Sequence, residues 1–357
     1  MIMKNKRTLL RNKEIIDRLN EIYKNKNNLP CLSLDAKDKY IIFSDLHFGD
    51  GEGADNFARN EETFMTALTY YRHHDFKVIL LGDIEEFWQF DLNDIVDRYH
   101  DTTYSLLSNY GKDKVYRIFG NHDSEWRGLK DPLKGRGYKP GGAPEALMIG
   151  DDIFLLHGHQ GDVLAEKRAW MSRFWARLFR LIEPLVREFG YENYAATKSQ
   201  VPKDRERILY KWAKEKKIIL ICGHTHRAMF ASRSYYRWLR RQVKNVELEL
   251  EDENLQPDKE EELEILLKRY KHEARAERKR RRDIDNLDEN QEPIPCYFNT
   301  GSGLFRNGIT CIELEPKKIR LVKWSNDKTL PTSNRKIQFW NDDNLIEFLD
   351  RIKNGEN

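Results

Sequence analysis

Five short apolar runs in this chain each end in a side chain that can hold a cation or move a proton. Tyr40–Ser44 runs into Asp45, Val78–Gly82 into Asp83, Val115–Gly120 into Asn121, Ile153–Leu156 into His157, and Ile218–Gly223 into His224. Runs of this length that are β-branched-rich and apolar throughout have the pattern of strands covered on both faces. Helix-compatible segments, among them Glu61–His74 and Leu92–Asn109, separate several of them. The alternation predicts a layered α/β core in which polar side chains at the carboxyl ends of neighbouring strands converge on one crevice.

Three later strands are expected at Cys296–Asn299, Ile309–Leu314 and Ile319–Trp324, and a terminal helix at about Asn344–Ile352. Residues 5–26 carry Leu9, Leu10, Ile15, Ile16, Leu19 and Ile22 at helical spacing. Two segments break the rhythm. Val163–Tyr191 is a long helix-compatible stretch rich in aromatics and arginine. Residues 232–292 are dominated by charge, with an acidic run at Glu247–Glu253 and a basic run at Arg278–Arg282, and read as a pair of long solvated helices. The expected layout is an N-terminal helix over 1–30, a catalytic domain over 31–325 and a tail with a helix over 326–357. The domain would carry a helical cap insertion at about 163–200 and the charged helical excursion at 232–292.

A length of 357 residues allows one large domain with insertions or two ordinary ones. A net charge of only +3, from 62 basic and 59 acidic residues, gives no global argument for a nucleic-acid binder. The four cysteines contain no CxxC pair, and the first 30 residues have no apolar run fit for a signal peptide or a membrane span. Both point to the cytoplasm.

The chemistry sits in five motifs in order: Asp45-Leu46-His47, Gly82-Asp83, Gly120-Asn121-His122-Asp123, His157-Gly158-His159, and Gly223-His224-Thr225-His226. All donors are oxygen or imidazole, which suits Mn²⁺, Fe or Zn²⁺ in a reactive site better than a structural zinc cage. Asp-x-His and His-x-His place two donors on one side of an extended backbone. The glycine before Asp83, Asn121 and His224 lets the chain turn sharply into the crevice. Phosphoester hydrolysis asks for such a set: cations lower the pKa of water and neutralise phosphoryl oxygens, and an imidazole protonates the leaving oxygen. Any one of these residues alone would be an ordinary buried polar group. Together, at five strand ends, they would be a costly burial without a function.

The five motifs in this order resemble the calcineurin-like metallophosphoesterase superfamily over about residues 40–325, the charged excursion excepted. The resemblance implies a four-layer αββα sandwich and two divalent metal ions, Mn²⁺ ahead of Fe or Zn²⁺. It implies that Asp45, His47 and His226 hold the first ion, that Asp83 bridges, and that Asn121, His157 and His224 complete the second. His122 would be the acid or phosphate-stabilising group and Asp123 its orienting partner. His159 is either a ligand or a support for one.

In detail the Asp-Leu-His, Asp83-to-Trp88 and His224-to-Arg227 segments are similar to UDP-2,3-diacylglucosamine hydrolases, which cleave a pyrophosphate in lipid A synthesis. The aromatic and arginine stripe of 163–191 could then meet lipid or an anionic membrane, or else pack on the sheet. His122 departs from that subfamily, which usually has arginine there, as does His157-Gly158-His159-Gln160, where it tends to read His-Gly-Asp. The expected partner is therefore a phosphate-ester substrate, with the lipid-type pyrophosphate or a phosphodiesterase or nuclease activity as alternatives. The basic run Arg278–Arg282 could touch nucleic acid but reads more simply as a solvated face balanced by its acidic neighbours. The acidic, glycine-rich loop Gly49–Phe57 is expected to be flexible and to frame the site, with Asn56 or Arg59 near the substrate. Asn299–Gly303 is a turn placed near the site.

Overall fold

The computed structural model describes residues 2–111, 113–127, 142–161, 200–252, 255–280, 293–331, 335–338 and 344–355. Its apolar runs become strands of two facing sheets. One sheet has the order β1 (Cys31–Leu32), β5 (Ala146–Ile149), β6 (Ile153–Leu156), β7 (Ile219–Cys222), β10 (Tyr297–Asn299), β8 (Met229–Phe230), β9 (Arg233–Ser234). The other runs β13 (Lys336–Gln338), β12 (Lys318–Trp324), β11 (Ile309–Glu315), β2 (Tyr40–Phe43), β3 (Lys77–Leu81), β4 (Val115–Ile118). β2, β3 and β4 are parallel, in the register Ile41 to Val78 to Val115, so Asp45, Asp83 and Asn121 leave the sheet at the same edge. β6, β7 and β10 are likewise parallel and deliver His157, His224 and Asn299 from the facing sheet.

Both sheets are covered on both faces, which is why their strands read as unbroken apolar runs. Ile42, Ile79, Leu81, Ile118, Ile312 and Leu314 share a core with the strands of the facing sheet. Their neighbours Ile41, Phe43, Val78, Leu80, Ile309 and Cys311 share a second core with α2 (Glu61–His73), through Phe64, Ala67, Leu68 and Tyr71. The two-residue period of the strand assigns side chains to one core or the other. Each fully buried Ile, Leu or Phe contributes about 1.5–3 kcal/mol. On the far side of the first sheet lie α1 (Ile2–Lys24) and α5 (Gln200–Lys216), where Tyr23 meets Phe154 and Trp212 edge-on at 5.5 Å. The layers are thus helix, sheet, sheet, helix, and the expected αββα sandwich is the observed architecture.

Local differences have local causes. Among the described side chains of α1, Ile15, Leu19 and Ile22 alone are buried, because they fall on one narrow arc. Leu9, Leu10 and Ile16 lie off it and are exposed. The single helix expected over 92–109 is three pieces: α3 (Leu92–Tyr99), a π-helical turn (His100–Tyr104) and α4 (Ser105–Ser108). The hydroxyls of Tyr99, Thr102 and Tyr104 reach three different carboxylates, Asp55, Glu61 and Glu85, and the widened turn lets all three do so. The short strands β1, β5, β8, β9 and β13 were not read from the sequence.

Within the charged excursion run α6 (Tyr235–Glu249), capped by Ser234, and α7 (Pro257–Arg280). They lean together through Trp238 and Tyr270, with ring centroids 5.5 Å apart. Trp238, Leu239, Val246 and Leu263 are buried, so the pair is docked along one side rather than solvated all round. The cap expected at 163–200, with its lipid or membrane contact, lies outside the described residues up to Gln200, as do Arg281 and Arg282 of the basic run. No described helix is long and apolar enough to cross a membrane. α8 (Leu345–Asn354) closes the chain, with Asn344 accepting from the Ile346 and Glu347 amides and Gly355 in the left-handed region after its end.

Candidate metal centre

At the common edge of the two sheets the backbone takes a conformation that side chains with a Cβ rarely adopt. Asp45, His47, Asp83, His224 and His226 all have φ between 51° and 66°. The left-handed region costs a non-glycine residue energy and persists where the surroundings enforce it. Here it bends each strand end back on itself, so that five candidate ligands face inward.

Three groups result. Asp45, His47 and His226 bring ligand atoms within 4.8 Å of one another, and so do Asp83, His157 and His224, and a third set of His47, Asp83 and His122. In the first, His226 Nε2 lies 3.1 Å from Asp45 Oδ1 and 3.2 Å from His47 Nε2. Two imidazole nitrogens aimed at each other beside a carboxylate oxygen describe a place for a cation. In the second, His157 Nε2 lies 2.9 Å from Asp83 Oδ2. His157 Nδ1 donates to the Leu81 carbonyl at 2.8 Å, which leaves Nε2 as the free ligand atom. Asn121 Oδ1 is buried without a hydrogen bond, and a divalent cation would satisfy it. The donor set therefore fits divalent metal ions.

Charge in the cluster follows its burial and pairing. Burial works against ionising Asp83, but His157 and then His122 outweigh it and hold the carboxyl well below its ordinary value. Burial lowers His157 while Asp83 and Asp45 raise it, to about 9. The same carboxylates that draw a proton there would draw a cation. Burial holds His224 and His159 well below the usual imidazole range, so both are neutral. His159 is buried with its ring centre 5.5 Å from that of His157 and belongs to none of the three groups.

His122 corrects one expectation. Its Nδ1 donates to Glu86 Oε1 at 2.7 Å, and its ring stacks on Trp88 at 4.0 Å between centroids. Asp123 does not reach it. That carboxylate accepts instead from the Gly120 and Ile84 amides, at 2.6 and 2.9 Å, and ties the two strand-end loops together. The carboxylate that orients His122 is Glu86, whose other oxygen accepts from His47 Nδ1 at 2.7 Å. Burial resists its charge, yet His122 and His47 hold its carboxyl down at about 2. They in turn, Glu86 first and Asp83 next, overcome the burial of His122 and raise it to about 9. Glu86 was missed because it directly follows Glu85 in a short polar stretch. Its spacing of three from Asp83 was the available signal.

Further supports were also hidden. Glu85, fully buried, takes a two-pronged pair from Arg117 at 2.5 and 2.8 Å and bonds from Tyr104 and Trp126. Glu206 accepts from Thr225 at 2.8 Å and pairs with Arg227 at 2.5 Å, which clamps the chain on either side of His226. The Asn299–Gly303 turn lies under the site as expected. Ser302 Oγ and the Gly303 amide donate to the Asp45 carbonyl at 3.0 Å, and Asn299 Nδ2 donates to the Gly223 carbonyl at 2.7 Å.

Two further readings change. Of the three motif glycines only Gly82, at φ 84°, uses a turn that needs glycine. At Gly120 and Gly223 a Cβ would collide with Asp83 and with Ser44 and Asp45, so close approach is their reason. The loop Gly49–Phe57 is not free either. Asp55 is buried in its middle and accepts from the Gly49, Gly51, Phe57 and Ala58 amides and from the Tyr99 hydroxyl. Asn56 and Arg59 bond to each other at 3.0 Å, part-way out to solvent.

A search of curated proteins finds no match. The family model for calcineurin-like phosphoesterases matches residues 39–228, more than half of the chain, and all five motifs fall inside that span. The family members are hydrolases of phosphate esters. With its αββα sandwich and its clusters of His and Asp that could hold metal ions, this chain belongs to the calcineurin-like phosphoesterase family.

Proposed function

We propose that the protein hydrolyses a phosphate ester at a dinuclear centre, with Mn²⁺ as the working metal and Fe or Zn²⁺ as substitutes. The observation that carries this reading is the pair of ligand groups, Asp45, His47 and His226 beside Asp83, His157 and His224, with the orphaned Asn121 oxygen at hand. In this reading Asp45, His47 and His226 would hold one ion, Asn121, His157 and His224 would hold the other, and Asp83 would serve both. When bound, the ions supply an activated water and neutralise the phosphoryl oxygens.

The protein's own groups do the rest. Glu86 fixes the rings of His47 and His122 by their Nδ1 atoms. The His122 imidazole, held protonated by Glu86 and Asp83, gives its Nε2 proton to the leaving oxygen. Trp88 stacks on its face and keeps the ring from turning away. Asp123 holds the loop that carries Asn121 and His122, at one remove from the substrate. Three buried free thiols, Cys222, Cys296 and Cys311, support a reducing compartment such as the cytoplasm.

The test is hydrolysis of bis-p-nitrophenyl phosphate and p-nitrophenyl phosphate by protein stripped of metal and refilled with Mn²⁺. Turnover restored by the metal and removed by Asp83→Asn is the expected result. The ratio of the two rates separates diester from monoester substrates. A protein that takes up metal but cleaves neither compound, and instead cleaves a UDP-linked acylated sugar, would support the lipid-type pyrophosphate reading. A protein that binds no metal overturns the proposal.

A further inference from the structure

The opposite end of the sandwich holds a cavity of about 960 Å³, and none of its lining belongs to the metal centre. Its walls are one side of α6, the start of α8, and the Lys317–Lys318 turn between β11 and β12. The register fixes its place. Leu314 pairs with Tyr40 at the start of β2, whereas Asp45 follows the end of β2. At 3.3 Å per residue the turn is therefore roughly 20 Å from Asp45. The walls are joined by backbone: the Leu345 amide donates to the Lys317 carbonyl at 3.0 Å, and Lys318 bridges to Asn344.

The lining is lopsided in charge. Among the described residues of the lining, five cationic side chains face one carboxylate, Glu347. Four of them, Arg241, Lys317, Lys318 and Arg351, make no ion pair among the described residues. Basic side chains elsewhere on the same elements are matched: Arg320 with Glu313 and Glu315, Lys353 with Asp152. Among the described residues, like charges gathered on two walls with one carboxylate between them repel one another, and an anion there relieves that repulsion.

The dimensions select the anion. Asn344 to Arg351 spans about 10 Å of helix at 1.5 Å per residue, the length of two or three linked phosphates rather than of a nucleic-acid strand. The aromatic residues present, Trp238 and Phe348, are only 6% and 5% exposed and form the floor, so no ring is offered for a base to stack on. We infer that this groove binds a small, soluble polyphosphorylated anion, recognised through its linked phosphates and separate from the substrate of the metal centre.

Lysine acylation read by mass spectrometry on the full-length, metal-loaded protein tests this, with inorganic tripolyphosphate as probe at constant ionic strength. At ten times the dissociation constant, mass action leaves about a tenth of the sites free, so acylation of Lys317 and Lys318 should slow roughly tenfold. Lys268 on α7, 78% exposed, should be unaffected. Arg241→Glu should restore the free rate at both lysines while leaving bis-p-nitrophenyl phosphate turnover unchanged. Unchanged rates at Lys317 and Lys318 would overturn the assignment, and so would equal slowing by sulfate or at Lys268. Protection by phosphoinositide vesicles but not by tripolyphosphate would also overturn it, in favour of a lipid surface. Because the readout is local to the groove, it stands or falls independently of the phosphoesterase reading.

Discussion

The metal-centre edge and the α6–α7 helical pair are built from the same kinds of charged residue and use them in opposite ways. At the edge, Glu85, Glu86, Asp123 and Glu206 are almost wholly buried, and each has two or more donors fixed on it. On the helices, charges pair across open surface, as Lys271 does with Glu247 at 2.8 Å while both remain nearly half exposed. A buried charge that loses its partner cannot recover solvation, whereas an exposed one is rehydrated at once. The edge is therefore intolerant of substitution and the helical pair is tolerant.

The sharpest way to break this contrast is at the ligands. Asp83→Asn should abolish metal-restored turnover while far-ultraviolet circular dichroism stays as in the parent; retained turnover would remove Asp83 from the centre. His122→Ala should lower kcat by about 10²–10⁴-fold at unchanged metal content. Removing Arg227 as Ala leaves Glu206 buried and unpaired, for an expected loss of about 3–5 kcal/mol in urea unfolding. Glu86→Gln keeps the shape but loses the charge that holds both rings, and should reduce kcat by about 10–100-fold. At the other extreme, Glu247→Ala should shift stability by about 1 kcal/mol or less. A large effect there, or a small one at Arg227, would invert the comparison.

Acid sharpens it further. The Glu86 carboxyl is held at about 2 against an ordinary 4.5. A depressed folded value gives stability that is present above the unfolded value and lost as pH falls from there toward the folded value. With the metals chelated, the wild-type urea midpoint should therefore fall more steeply than that of Glu86→Gln between those two values. Parallel curves would show that Glu86 is not the ion-paired group described.

What the sequence disclosed divides along the same line. Asp45, Asp83, Asn121, His157 and His224 stand out because each ends an apolar run, and His47 and His226 because each repeats a donor two residues further on. Glu206 does not: it lies in a stretch of lysines and arginines and reads as a solvated helix face until its partners from other elements are known. Asp55 sits among glycines and acids that look like an open turn, and only Tyr99, 44 residues on, reveals its burial. Strands of two to four residues, such as β1 and β9, are too short to show a period and exist through their pairing. The Asp123 reading failed because neighbours in sequence need not be neighbours across a turn.

The left-handed backbone at five candidate ligands also sets limits on redesign. Asp75 and Lys217 share the same conformation, with φ of 61° and 55°, but have no part in the metal groups. At these two positions glycine would relax the backbone, at the loss of the Asp75–Lys114 pair or of the Lys217 bond to the Lys353 carbonyl. At Asp45 or His226 the same exchange would relax the chain and delete the donor. An engineer who wants a hardier enzyme should leave the tight bends of the strand ends alone and work on the bends that carry no candidate ligand.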